Sequence, residues 1–284
     1  MEFLSNRSIT ALADVLANSV TIKSVDLHDL GITPLGWYAI FNRLRDAATV
    51  VEELNLEGNK INDDAMVALT AAFSNRGKLS TLVLPVDRLG TRGWQAIADL
   101  LLPSCASALE VLEVKNNYGR SIAITTFAHA LVNNTSLKTL LMEHAGMGQP
   151  PHTRNTRALA AMADTLCNTS SINATYTSNH TLETYSYSHH NSDIASALLL
   201  NKNKNKFEVA RHKIIKHHFM PLEGLINHQV FLDMNLKVLP HAIAWMGVYR
   251  DSMGFSILHK LLTNLPSLLE SENKVKEVGK RKRG

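Results

Sequence analysis

Apolar residues recur along the chain at offsets of three, two and five positions. The clearest example has Val51, Leu54, Leu56 and Ile61 as its apolar residues, with Asn59 between the last two. Apolar and polar residues that alternate over so short a stretch are typical of a strand buried on one side. The pattern predicts a short strand here, followed by a tight turn that the side chain of Asn59 closes.

The same spacing recurs over the first two thirds of the sequence. Further copies begin at the apolar residues Ile22, Leu79, Leu109 and Leu137. A degenerate sixth copy consists of Ile172, Thr175, Thr177 and Leu182. The steps between the first positions of successive copies are 29, 28, 30, 28 and 35 residues. Steps this regular indicate a tandem array in which each repeat packs on its neighbours.

Each strand pattern is followed by an apolar pattern with a longer period. In the best copy, Met66, Leu69 and Phe73 place an apolar residue at every third or fourth position. This period marks one buried face of an α-helix. Asp63 and Asp64 stand at its expected start, where carboxylates stabilise a helix. Strands and helices therefore alternate, which predicts an α/β fold.

A strand, a turn asparagine and a full helix within about 28 residues resemble the ribonuclease-inhibitor type of leucine-rich repeat, L-x-x-L-x-L-x-x-N-x-L. The resemblance covers roughly residues 1–182. It implies a right-handed solenoid with parallel strands inside and helices outside. The turn asparagine occurs only at Asn59 and Asn117, so the other turns must satisfy their backbone groups differently. Residues 178–182 and 239–247 are also similar to segments of ribonuclease-inhibitor-like repeat proteins of single-celled algae, for which no function is established.

Two places in the predicted array are irregular, its start and its lengthened step. Residues 4–14 align with residues 89–99, so the sequence begins inside a repeat, at its helix. Either that amphipathic helix caps the array, or the sequence is incomplete. The lengthened step contains Pro150 and Pro151, which exclude helix and predict an enlarged loop. Such a loop either lies on a binding face or is an insertion without a role.

The repeat pattern fades after Leu182. Amphipathic helical patterns return within residues 183–269 and carry enough apolar residues to cover the open end of the array. We therefore expect a solenoid of about six repeats over residues 1–182 and an α-helical C-terminal cap over residues 183–269. Residues 270–284 are expected to form a basic, disordered tail.

Positive charge is concentrated at the end of the chain. Residues 274–284 carry six Lys or Arg residues against one Glu, a net charge of +5, whereas the whole chain carries +4. The preceding residues therefore sum to about −1. The run Lys280, Arg281, Lys282 and Arg283 is typical of nuclear-import signals and of patches that bind polyanions. Solvated basic ends with neither role are also common.

The remaining composition favours an intracellular protein. The sequence contains no apolar stretch long enough to span a bilayer, and its first residues lack the pattern of a signal peptide. Cys105 and Cys167 are its two cysteines, too few for a disulfide framework. We expect the protein in the cytoplasm, with the nucleus as the alternative.

Strand side chains between the buried leucines should point away from the core and line the concave surface. The residues expected to bind a partner are Asp26, His28, Glu53, Asn55, Glu57, Val83, Val111, Glu113, Lys115, Leu141, Glu143 and Tyr176. Five are acidic, one is a lysine and four are apolar. This surface suits another protein that presents basic residues around an apolar anchor. It disfavours nucleic acid, whose phosphates carboxylates repel, except at the basic tail. Alternatively, the carboxylates serve only to keep the sheet soluble.

The sequence patterns do not favour catalysis, a cofactor or a metal. His212 and His217 are five residues apart and do not share a helix face at ligand spacing. Neither a glycine-rich phosphate loop nor a nucleophile motif is present. We therefore expect a non-catalytic protein-interaction module that is not an enzyme and binds no membrane.

Two other functions remain open at this level. The first is regulation of a small GTPase, because Ran-type GTPase-activating proteins share this repeat type and an acidic character. No motif here corresponds to their catalytic contacts, and a basic tail stands where theirs is acidic. The second is a nuclear scaffold that acts through Lys280 to Arg283.

Overall fold

A computed structural model describes most of the first 219 residues. The described residues are 4–45, 50–74, 78–85, 89–105, 108–115, 121–142, 156–186, 191–219, 238, 240, 241 and 244. The chain divides into two compact units. The first comprises Met1–Leu166 and Asn179–Lys204, and the second comprises Cys167–Ser178 and Asn205–Gly284.

Within the described ranges of the first unit, six parallel strands form one sheet in chain order. They are β1 (Ser24–Asp26), β2 (Glu53–Asn55), β3 (Thr81–Pro85), β4 (Val111–Lys115), β5 (Thr139–Met142) and β6 (Thr184–Tyr185). Parallel neighbours need a long crossover connection between them. The repeat length supplies that connection, because each strand is followed by a helix before the next strand begins.

The leucines of the repeated pattern stack across the sheet. The Cα partners in register are Leu54 with Leu82, Leu82 with Leu112, and Leu112 with Leu140. All four side chains are buried, as is Val25 on β1. The expected stacking of these leucines on parallel strands is therefore confirmed. Burial of one such side chain stabilises the fold by about 1.5–3 kcal/mol.

The helices alternate with the strands as the apolar spacing predicts. Those of the first unit are α1 (Asn6–Asn18), α2 (Pro34–Arg45), α3 (Asp63–Phe73), α4 (Thr91–Asp99), α5 (Ser121–Leu131), α6 (Thr156–Leu166) and α8 (Ser192–Asn201). The second unit contains α7 (Ile172–Tyr176), α9 (Lys206–Ile214) and a π-helical turn, Ile215–Phe219.

Several helices begin at a polar N-cap residue, and each of these helices buries one apolar face. The side chain of Asn62 accepts a hydrogen bond from the amide of Ala65 at 3.0 Å, which satisfies one of the unpaired amides at the start of α3. On α2, Trp37 stacks on Phe41 with their ring centroids 5.5 Å apart. Both aromatic side chains are almost completely buried, so one face of the helix belongs to the core.

The second unit holds a cluster of buried polar groups. The hydroxyl of Thr175 lies 2.7 Å from Nε2 of His218 and 2.7 Å from the carbonyl oxygen of Asn168, to which it can donate. Lys213, on α9, is fully buried. Burial lowers the pKa of its ammonium group to about 7. Burial, and secondarily the charge of His217, lowers the pKa of His218 to about 4.

The predicted sixth strand is wrong. Residues Ile172–Tyr176 form helix α7, and the sixth strand is Thr184–Tyr185, which pairs with β5 through Thr139 and Leu140. The sequence Ile172, Thr175, Thr177, Leu182 fits the repeat spacing by coincidence. Ser171 instead starts a helix there, because its hydroxyl accepts a hydrogen bond from the amide of Ala174 at 3.0 Å.

The predicted domain boundaries differ from the units of the structure. The sheet continues past residue 182 into β6, and of the region predicted as a helical cap, α8 belongs to the first unit and α9 to the second. Most of residues 220–269, the whole tail 270–284 and the loop around Pro150 lie outside the described residues. The C-terminal cap and the tail therefore stay predictions.

Candidate interaction surface

Strand side chains between the buried leucines form one surface, which we call the exposed strand face. It consists of Ser24, Asp26, Glu53, Asn55, Thr81, Val83, Val111, Glu113, Thr139 and Leu141, all of them exposed or half-buried. The opposite orientation of the leucines follows from the period of two along a strand. For these ten residues the alternation along the strands predicts the exposed side.

The register arranges this face in two rows. One row runs Ser24, Glu53, Thr81, Val111, Thr139, and the other runs Asp26, Asn55, Val83, Glu113, Leu141. Neighbouring strands lie about 4.8 Å apart. Each row therefore extends roughly 19 Å across five strands, which is long enough to contact several side chains of a partner.

Two of the three carboxylates of this face lie at one end, and its three apolar side chains lie toward the other end. Asp26 and Glu53 are on β1 and β2, whereas Val83, Val111 and Leu141 are on β3, β4 and β5. Glu113 stands between Val83 and Leu141 in the second row. The sequence predicts both groups of residues, but their separation along the rows emerges only from the register.

Short polar contacts organise the acidic end. The hydroxyl of Ser24 donates to Oε2 of Glu53 at 2.8 Å, and Nδ1 of His28 lies 3.0 Å from Oδ1 of Asp26. Contact with Asp26 raises the pKa of His28, and the charges of Asp29 and Glu57 raise it further. The hydrogen bond from His28 lowers the pKa of Asp26 in return. This end of the face therefore attracts positive charge.

The turns after β1 and β2 are joined by Asn59. Its Nδ2 donates to the carbonyl oxygens of Leu27 at 2.7 Å and Leu56 at 3.0 Å. Its Oδ1 accepts from the amide of Leu30 at 3.2 Å. The predicted turn-closing role of Asn59 is confirmed, and the contact also crosses to the neighbouring repeat. It fixes the loops that carry His28 and Glu57.

Gly58 makes the close approach of these two turns feasible. Its φ is +75°, in the left-handed region that favours glycine. A Cβ at this position would clash with the carboxylate of Asp29. Asp29 itself has φ of 53° and its amide donates to the carbonyl oxygen of Glu57 at 3.0 Å. The acidic turns are therefore packed directly against each other.

The remaining predicted contact residues have different outcomes. Lys115 ends β4 and is in register with Pro85. Tyr176 was expected on a sixth strand, but that placement is wrong, since it lies in α7 of the second unit. Glu143 and the basic run Lys280 to Arg283 lie outside the described residues.

Metal and membrane features can be assessed for part of the chain. Among the residues with described positions, no group of three or more His, Cys, Asp or Glu side chains is placed to hold a metal ion. In the same ranges, every helix is too short or too polar to cross a bilayer.

Comparison with known proteins gives limited matches. No protein-family profile matches the chain. RAN GTPase-activating protein 2 of Arabidopsis thaliana is 29% identical over 111 residues, which are 39% of this chain and 20% of that protein. The matched segment thus spans about a fifth of that relative. Among solved structures, the actin-binding site 2 of leiomodin-1 covers 76% of this chain and 94% of its own at 11% identity, with a TM-score of 0.36. A likeness at that level establishes neither fold nor function.

Proposed function

We propose that the chain is a leucine-rich repeat protein of the ribonuclease-inhibitor type that binds another protein on its exposed strand face, without catalysis. The observation that carries this proposal is the continuous pair of residue rows. Asp26 and Glu53 lie on β1 and β2, whereas the apolar side chains lie on β3 to β5, where Glu113 is the one carboxylate of the rows. The six parallel strands in chain order, each followed by a helix, support a right-handed solenoid.

The chemistry of the face indicates the partner. Asp26 and Glu53 offer carboxylates to lysine or arginine side chains, which speeds association and selects for positive charge. The apolar surface of this face is provided by Val83, Val111 and Leu141, and its removal from water on binding is favourable. A protein with an apolar anchor and basic residues to one side of it matches this arrangement. Phosphates of a nucleic acid would be repelled by the same carboxylates.

Charge reversal tests the proposal against the alternative that these carboxylates only confer solubility. We expect the triple change Glu53→Lys, Glu57→Lys, Glu113→Lys to abolish capture of partner proteins from a cell lysate, measured by quantitative mass spectrometry. The control with equal charge change is Asp99→Lys, Asp164→Lys, Asp193→Lys, on helices α4, α6 and α8. Capture that is the same for both triple variants would reject this face as the binding site.

A second candidate function is regulation of a small GTPase. The observation in its favour is the 29% identity over 111 residues to a RAN GTPase-activating protein. A single-turnover assay of the full chain against a panel of small GTPases tests it directly. Acceleration of GTP hydrolysis by any member supports this function, and unchanged rates across the panel remove it.

The basic tail supports a third candidate, a nuclear scaffold. Lys280, Arg281, Lys282 and Arg283 provide the positive charge that import receptors or polyanions recognise. Deletion of residues 274–284 should shift a fluorescent fusion from the nucleus to the cytoplasm and reduce retention on heparin. An unchanged distribution and unchanged retention would remove this candidate.

A further inference from the structure

One residue on each of the strands β1 to β5 forms part of a regular series on the exposed strand face. The series has a carboxylate on β1 and on β2, and a valine or leucine on β3, β4 and β5. The register places its members alternately in the second and the first row. We call it the zigzag line, and in strand order it is Asp26, Glu53, Val83, Val111 and Leu141. Among the other five residues of the face, only Glu113 is charged.

The steps of the zigzag line match those of an α-helix. Neighbouring strands lie about 4.8 Å apart, so the line is roughly 19 Å long from β1 to β5. Helix residues that are alternately three and four positions apart advance by about 5.3 Å a step, or roughly 21 Å over four steps. Their side chains also alternate between the two sides of the line of contact. A helix that lies across the strands therefore brings one side chain to each residue of the zigzag line.

An extended segment does not fit the same line. Residues on one side of an extended chain advance by about 6.7 Å a step, or roughly 27 Å over four steps. The strands of the sheet form their main-chain hydrogen bonds with one another, so their face presents side chains. An extended segment on this face would leave most of its own N–H and C=O groups without main-chain partners, whereas a helix pairs them internally. Spacing and hydrogen bonding therefore both favour a helix.

The two carboxylates of the zigzag line favour a basic helix. Oε2 of Glu53 accepts a hydrogen bond from the hydroxyl of Ser24 at 2.8 Å, and a neutral hydroxyl leaves the charge of the carboxylate in place. Oδ1 of Asp26 lies 3.0 Å from Nδ1 of His28, whose ring is charged only when it is protonated. Neither of these contacts replaces a lysine or arginine of a partner.

The lysines that directly precede strands β1 and β5 are already paired. Nζ of Lys23 lies 2.8 Å from Oε1 of Glu52, and Nζ of Lys138 lies 2.7 Å from Oε2 of Glu110. Each of these ion pairs has no net charge. The ten residues of the exposed strand face include no Lys or Arg. The acidic end of the face is therefore complementary to positive charge.

We propose that the partner presents an amphipathic α-helix that lies across the strands, with two basic residues over β1 and β2 and three large apolar residues over β3 to β5. This inference rests on the proposed function and specifies the shape and sequence pattern of its partner. The basic residues pair with Asp26 and Glu53. The apolar residues, alternately three and four positions apart, pack on Val83, Val111 and Leu141.

The test measures binding of labelled peptides to the full chain by fluorescence anisotropy. Two test peptides, each stapled on its outer face to be helical, carry two lysines and three leucines in the proposed spacing, in the two possible orders. One control replaces the lysines by glutamates, and a second moves the leucines to the opposite side of the helix. A third is an extended peptide with the same five residues at every second position. We expect the better test peptide to bind at least tenfold more tightly than each control.

Variants of the chain locate the binding. Glu53→Gln and Asp26→Asn should each weaken the better test peptide at least threefold, because each removes one charge with little change of shape. Val111→Thr keeps the size of the side chain but adds a hydroxyl, and it should weaken binding to a similar degree. Asp164→Asn is the matched control, because Asp164 is exposed on α6, and it should leave binding unchanged. Circular dichroism confirms that each variant is folded.

Three results would overturn the helical partner. They are absence of binding by both test peptides, equal binding by the glutamate or the shifted-leucine control, and binding that Glu53→Gln and Val111→Thr leave unchanged. Tighter binding of the extended peptide would assign the face to an extended segment instead. Self-association of the chain that Val111→Thr abolishes would assign it to a second copy.

The lysate experiment separates this inference from the proposed function. Capture that the triple charge reversal abolishes, combined with no preference for the helical peptides, would reject the helix and leave the strand face as a protein-binding site. Capture that the triple reversal leaves unchanged would remove the proposed function and this inference together.

Discussion

The side-chain amide of Asn179 donates a hydrogen bond to the main-chain carbonyl oxygen of Asn134, 3.0 Å away. Both asparagines are buried, and each accepts hydrogen bonds from the amides two and three residues later. For Asn179 these donors are Thr181 and Leu182, both at 2.9 Å. Nδ2 of Asn201 continues the series by donating to the carbonyl oxygen of Leu182 at 2.7 Å. Buried asparagines thus tie the helix ends of the last repeats to one another.

Asn179→Ala should destabilise the protein by about 2–4 kcal/mol, because it leaves several buried backbone groups without a partner. Urea unfolding followed by circular dichroism measures this loss. Asn18→Ala is the control, since the side chain of Asn18 donates a single exposed hydrogen bond to Asp14, and it should cost roughly 0.5 kcal/mol or less. Equal losses in the two variants would contradict a structural role for the buried series.

Leu82→Ala and Leu112→Ala should each cost about 2–5 kcal/mol, because both side chains are fully buried and their truncation leaves a cavity. Glu53→Ala, on the exposed strand face, should cost roughly 0.5 kcal/mol or less. The free energy of unfolding in urea distinguishes the two kinds of change. Comparable losses would mean that the inner and outer sides of the sheet are exchanged.

Acidification should destabilise the second unit through His218. Burial lowers the pKa of this side chain to about 4 in the folded protein, while the unfolded chain takes up its proton near pH 6.5. The stability linked to His218 is therefore complete above pH 6.5 and is lost as the pH falls toward 4. We expect His218→Gln, which can still contact Thr175, to be less sensitive to this pH change by about 1–2 kcal/mol. Identical pH dependence of the wild type and His218→Gln in thermal unfolding would refute this.

Lys213 should make stability rise with pH in the alkaline range. Burial lowers the pKa of its ammonium group from 10.5 to about 7, so the unfolded chain binds more protons between these values. The folded state therefore gains stability as the pH increases from about 7 to 10.5. Lys213→Met should remove this rise and stabilise the protein at pH 7 by roughly 3 kcal/mol. Urea unfolding at pH 7 and pH 9.5 measures both effects, and a less stable variant at pH 7 would contradict them.

The elements that were predicted correctly share one property. In each of them the spacing of apolar residues within a single repeat determines which side of the strand or helix is buried. The strands β2, β3 and β4 are predicted from Leu54, Leu82 and Leu112, because a short strand with one buried side buries alternate residues. The sixth strand was missed because its true copy begins at Leu182 and ends with tyrosines, 45 residues after Leu137. The shared sequence Asn-x-Ser/Thr-Leu at residues 134–137 and 179–182 could have located it.

The candidate surfaces were predictable to different degrees. Alternation along the strands marks Glu53 and Val83 as exposed, and the repeat length places them on neighbouring strands. The contact between His28 and Asp26 depends on the turn geometry, which no periodic pattern specifies. The depression between α2 and α3 was not predicted, because residues of successive repeats line it, among them Leu35 and Val67. A pattern within one repeat does not indicate which side chains of two repeats come together.

The chain path around α7 shows that the repeat array accommodates an inserted segment. The chain leaves the first unit at Leu166 and rejoins it at Asn179, whose amide donates to the carbonyl oxygen of Thr165 at 2.8 Å. This hydrogen bond joins the two points at which the chain leaves and re-enters the first unit. Strand β5 still pairs with β6 on the far side of the excursion. Because the strand order is kept across this excursion, residues 167–178 mark a place where the array tolerates an inserted segment. A reporter domain or an affinity epitope could be inserted there by protein engineering.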